Sequence, residues 1–149
     1  MLYFAYGSNM DPVQMAKRCP GAPVLGAARL PDHRLTFTYD SGAWGGGVGN
    51  VVPAPGEEVW GVLWDLDDEH VRTLDRYEGV AQDIYRRVQT AVIRDGEPVE
   101  AMIYLCRDAG YKRPSRRYVR ALVRGALAHG VPQAYVDGLE ALVQRQETR

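Results

Sequence analysis

Only two cysteines, Cys19 and Cys106, occur in the 149 residues, and they form no CxxC pair. A chain of this length buries a core without disulfides, so two free thiols in a reducing compartment are expected. The three histidines, His33, His70 and His129, are isolated, with neither HxH nor HxxxH spacing. No metal site and no other cofactor is therefore expected. Charge is balanced, with a formal net charge of −1, so no global field recruits nucleic acid or an anionic membrane. No apolar run is long enough to span a bilayer. The first apolar stretch begins at Leu2, which leaves no room for a signal peptide. These absences predict a cytoplasmic protein with neither a nucleic-acid nor a membrane partner, and the pattern leaves monomer and homodimer both open.

Catalytic motifs of several common classes are missing too. The glycine-rich segment Gly42–Gly49 lacks the Gly-Lys-Ser/Thr ending of a P-loop, and Asn50 stands where a GxGxxG register would need its last glycine. There is no GxSxG elbow, and Cys19 has no histidine partner in a recognisable signature. Arg113, Arg116, Arg117, Arg120 and Arg124 lie on or near one helix, and with the net charge near zero they read as a solvated face.

What the chain does have is globular: 46% hydrophobic and 25% charged residues, consistent with one domain over residues 1–149. Leu2–Ala5 reads as a buried strand and Pro12–Arg18 as a short helix. Val24–Leu30, Arg34–Tyr39 and Glu58–Leu66 read as strands, with Ser41–Gly49 as a loop and Val51-Val52 as at most a short strand before the turn Pro53–Gly56. A helix capped by Asp67 or Asp68 runs to about Tyr77 and stops at Gly79. Tyr85–Ile93 and Val99–Leu105 form a hairpin around Asp95-Gly96. Two helices follow, Ser115–His129 and one carrying Tyr135, Leu139, Leu142 and Val143. About six strands and four helices without strict alternation predict an α+β fold, a small mixed β-barrel with helices outside.

Two features carry chemistry. In Tyr3-Phe4-Ala5-Tyr6-Gly7-Ser8-Asn9-Met10 an apolar strand breaks at glycine just before a helix opened by Asp11-Pro12. Such a break presents backbone N–H groups in a concavity that can hold an anion, although the same pattern also serves as an ordinary strand–turn–helix. The second is Glu78. If the helix extends that far, Val71, Leu74 and Glu78 share the inward face, and a carboxylate in an apolar wall becomes a base with a raised pKa. If the helix frays at Tyr77, Glu78 is a surface residue ahead of Gly79.

Tyr3–Met10 taken with Leu74-Asp75-Arg76-Tyr77-Glu78-Gly79-Val80 resembles the γ-glutamylcyclotransferases. The likeness continues through Trp44-Gly45-Gly46, Val59–Trp64, Tyr104-Leu105, Pro114-Ser115 with Tyr118, and Gly130-Val131-Pro132 with Tyr135. It implies a mixed β-barrel and a reaction that cyclises a small γ-glutamyl substrate to 5-oxoproline, releasing a free amine or amino acid. It further implies Glu78 as the acid/base. Tyr3, Phe4, Ala5, Tyr6, Gly7, Ser8 and Asn9 would hold the γ-glutamyl group, with Tyr104 on the pocket wall. The nucleophile is the substrate's own α-amine, so no serine, cysteine or metal is needed. Tyr6 and Tyr104 are expected to supply hydroxyl donors. A non-catalytic binding protein on the same fold is the alternative.

Overall fold

The apolar run Leu2–Ala5 forms strand β1, and the chain then turns through a single 3-10 turn, Ser8–Met10, into helix α1, Pro12–Arg18. Asp11 caps α1 by accepting from the Val13 N–H at 3.0 Å, with Pro12 at the first helical position. A computed structural model describes residues 1–147. The remaining elements are β2 (Val24–Ser41), β3 (Gly46–Asp65), α2 (Asp68–Tyr77), a second 3-10 turn (Val80–Gln82), β4 (Tyr85–Arg94), β5 (Glu97–Cys106), α3 (Arg116–Ala128) and α4 (Gln133–Glu147).

The strands close into a barrel in the order β1-β3-β2-β4-β5. Neighbours pair antiparallel except β1 and β5, which run parallel with Tyr3 opposite Met102. The barrel has five strands rather than about six, because four expected segments merge into β2 and β3. At Pro31 and Pro53 the hairpin bends instead of ending. A register shift falls between Pro31 and His33, and Asp32 takes a left-handed φ of 58°. The Asp32 carboxylate then accepts from the Gly56 N–H at 2.9 Å across the bend. The expected loop Ser41–Gly49 is also shorter, because β3 begins at Gly46. A Cβ at Gly47 would lie 2.0 Å from the Lys112 carbonyl oxygen, and the Gly47 N–H donates to the Arg113 carbonyl. Glycine there lets the segment before α3 cross against β3.

Two apolar layers result. Phe4, Leu30, Val59, Leu63, Val92 and Ile103, all from strands, fill the barrel interior. The outer layer joins Val62, Trp64 and Met102 to Met15, Leu74, Leu122 and Val136, one from each helix. Leu74 is fully buried, and such a side chain contributes about 1.5–3 kcal/mol to seating α2 on the barrel. No helix among the described residues is long and apolar enough to cross a membrane.

Candidate active site

The end of α2 decides where Glu78 points. Asp67 and His70 form a capping box at its start, and Val71 and Leu74 anchor its inner face. Glu78 keeps right-handed helical dihedrals and its N–H still donates to the Leu74 carbonyl at 2.8 Å. Gly79 then stops the helix with a φ of 65°. The side chain of Glu78 therefore stays on the Leu74 face and lines a cavity of about 470 Å³. Burial pushes its carboxyl up to about 7; Arg18 and a hydrogen bond from Asn9 oppose that rise, and Asp75 adds to it.

Tyr3, Tyr6, Gly7, Ser8, Asn9 and Tyr104 line the same cavity. Phe4 and Ala5 do not, although both were expected to hold substrate. Strand alternation turns the Phe4 ring into the barrel interior against Gly61, and the short Ala5 side chain ends inside the outer core. Gly7 is where the strand gives way to the turn, and a Cβ there would come within 3.0 Å of the Tyr118 hydroxyl. Among the described residues the Gly7 and Ser8 N–H groups donate to nothing, which leaves two backbone donors at the cavity wall.

The walls are built largely from tyrosine. Seven of the nine tyrosines line the cavity, so the chain's excess of tyrosine over its two phenylalanines was the available signal for a polar-edged pocket. Their hydroxyls are not equivalent. Tyr6 donates to the Tyr104 carbonyl and Tyr104 donates to Asp75 at 2.7 Å, so neither offers the free proton expected of it. Asp75 is itself paired with Arg87 at 3.1 Å. The Tyr3 oxygen instead accepts from Asn9 at 3.0 Å and the Tyr118 oxygen accepts from the Gly49 N–H at 2.8 Å. Among the four buried phenols on the wall, these two keep a proton to give. Burial raises the pKa of both, so they stay neutral donors.

Sequence reasoning missed Tyr85, Arg18 and the turn Asp40–Trp44 as wall residues. Tyr85 donates to the Gly49 carbonyl at 2.7 Å, and Arg18 lies 4.3 Å over the Tyr77 ring. The turn is tied to α3 through the Ser115 hydroxyl, which donates to the Trp44 carbonyl at 2.6 Å, and through Arg117, stacked 4.6 Å from the Trp44 ring. Neither link has a local sequence signal, since each joins segments about seventy residues apart. The described residues contain no cluster of histidine, cysteine and carboxylate side chains suited to a metal ion.

Comparison with known proteins gives consistent likenesses. Residues 58–139 match the AIG2-like family. The chain is 35% identical to the γ-glutamylcyclotransferase of Mus musculus over 146 residues, covering 95% of this chain and 78% of that protein. It is 34% identical to the Homo sapiens γ-glutamylcyclotransferase with the same coverage. Among solved structures, a γ-glutamyl cyclotransferase superposes with a TM-score of 0.91 at 33% identity, covering 95% of this chain and 86% of that one.

Proposed function

Because this chain belongs to the γ-glutamylcyclotransferase family, we propose that it closes γ-glutamyl amides to 5-oxoproline in the cavity between Glu78 and the Tyr6-Gly7-Ser8 turn. Its activity is of the cyclotransferase type. The observation that carries the site assignment is a carboxyl, pushed up to about 7 by burial, that lines the same cavity as two backbone N–H groups without a partner among the described residues.

In the proposed sequence the Glu78 carboxylate takes a proton from the substrate's α-ammonium. The freed amine attacks the γ-carbonyl carbon of the same molecule, forming the ring C–N bond. Holding the chain bent replaces a bimolecular encounter, which lowers the barrier without a protein nucleophile. Glu78 then passes that proton to the leaving nitrogen as the original amide bond breaks, and the remaining extra proton of the ring nitrogen follows through the same carboxylate to the released amine, which leaves a neutral lactam. The backbone N–H groups of Gly7 and Ser8 hold the α-carboxylate or the developing oxyanion. Tyr3 and Tyr118 donate from the side, and Tyr6 and Tyr104 act as walls. Water is not consumed, so the products together have the composition of the substrate.

Incubation with γ-glutamyl-alanine and with glutathione tests this reading. 5-Oxoproline is the expected product from at least one of them, with rates unchanged by a chelator. Release of glutamate, or no turnover of any γ-glutamyl compound, would contradict it; the latter is the outcome for a binding protein on the same fold. The pH profile is a second test. The base must be ionised, so kcat/KM should rise through a pH of about 7 and flatten above it. A limb near the ordinary carboxyl value of 4.5 would contradict the rise by burial, and a profile with no acid limb at all would remove Glu78 from this role. A reducing, cytoplasmic setting suits the two buried free thiols.

A further inference from the structure

Every hydrogen-bonding position of the Asn9 carboxamide is taken up inside the protein. Its Oδ1 accepts from Nε2 of Gln14 at 2.9 Å and from Nη1 of Arg18 at 3.1 Å. Its Nδ2 donates to the Tyr3 hydroxyl at 3.0 Å and to Oε1 of Glu78 at 3.2 Å. A guanidinium has donors only, so the amide oxygen must face Arg18 and the NH2 group must face Glu78. The backbone is fixed as well. The Trp64 indole donates to the Asn9 carbonyl at 3.1 Å, and the Met10 and Asp11 N–H groups close the turn onto Gly7 and Ser8. The residue is 3% exposed. A side chain with two N–H groups and two acceptor sites, all satisfied and aimed by an arginine, has nothing left for a ligand.

We propose that Asn9 is a positioning residue for Glu78, not the substrate contact that the family resemblance implies. Its amide, locked by Arg18 and Gln14, holds Oε1 and leaves Oε2 turned to the substrate's amine. This rests on Glu78 being the acid/base. The charged groups facing Glu78 are Arg18 from α1 and Asp75 from its own helix. The phenols of Tyr3 and Tyr6 at β1, Tyr85 on β4, Tyr104 on β5 and Tyr118 on α3 face it too, as does the Cys106 thiol. Burial raises all six, so they remain neutral around pH 7. The Asn9 donor therefore acts beside Arg18, which lowers the Glu78 carboxyl pKa, and Asp75, which raises it.

Asn9→Asp is the sharpest test, since it keeps an oxygen for Gln14 and Arg18 and puts a second oxygen where the donor stood. Loss of a charge-assisted hydrogen bond should move the acid limb of kcat/KM upward by at least about one pH unit, with KM within about twofold of wild type. The limb staying in place, or KM rising at unchanged kcat, would overturn the proposal. Should that variant not fold, Asn9→Ala serves instead. With the carboxylate free to rotate, kcat on the high-pH plateau should fall tenfold or more at nearly constant KM; a rise in KM alone would again overturn it. If wild type shows no limb near 7 and Glu78→Gln turns over normally, the reading of Glu78 fails instead. A wild-type limb that Asn9→Asp does not shift defeats only the role of Asn9.

Discussion

Replacing Glu78 by glutamine is expected to lower kcat by roughly two to four orders of magnitude, the range typical of a lost acid/base, while the fold survives. Glutamine has the same shape, its Oε1 still accepts from Asn9, and it cannot take the ammonium proton. The same variant should gain stability where the wild type is charged. The folded pKa of Glu78, about 7, lies above its ordinary value of 4.5. The group therefore favours the folded state fully below about pH 4.5, and that contribution is lost as pH climbs through 7. Thermal melts should show Glu78→Gln more stable than wild type at pH 8, by on the order of 1 kcal/mol, with the gap closing near pH 4.5. An inactive variant that has also unfolded would leave the catalytic explanation unsupported.

The second large effect concerns what holds the turn in place. Gly125 of α3 packs directly on the backbone at the end of that turn, and a Cβ there would lie 2.4 Å from the Met10 carbonyl carbon and 2.6 Å from the Asp11 nitrogen. Alanine gains roughly 1 kcal/mol of helix propensity, but the clash is with main chain that cannot rotate away. Gly125→Ala should therefore destabilise the protein by about 2 kcal/mol, or several degrees in Tm. It should also lower kcat, because Asn9 moves with Met10. Gly138 of α4 is the control: it is exposed with open space around it, so Gly138→Ala should stabilise by about 0.5–1 kcal/mol. Equal effects of the two substitutions would contradict the close packing of α3 on the turn.

Locally encoded elements were legible in the sequence. β1, α1, α2, α3 and the β4–β5 hairpin follow from caps, apolar spacing and the Asp95-Gly96 turn, whose residues both take positive φ. The lengths of β2 and β3 were not legible, because a proline reads as a stop unless the opposing strand supplies a partner, as Gly56 does for Asp32. Pattern alone left Glu78 undecided between wall and surface. One residue of continued helical geometry before Gly79 decides it, and that margin is smaller than the usual uncertainty of a helix end. The opening motif brought Tyr3, Tyr6, Gly7, Ser8 and Asn9 to the cavity, yet the resemblance swept in Phe4 and Ala5, which alternation and side-chain length keep away. Arg18 and Tyr85 could not be singled out, since their partners are assembled only by the closed barrel.

A crystal structure with 5-oxoproline bound gives the most direct test of Glu78 as the acid/base. The ring nitrogen should lie within about 3.2 Å of the Glu78 carboxylate, with a product oxygen on the Gly7 or Ser8 N–H. A product ring bound elsewhere, or seated with Glu78 turned away from that nitrogen, would contradict the assignment.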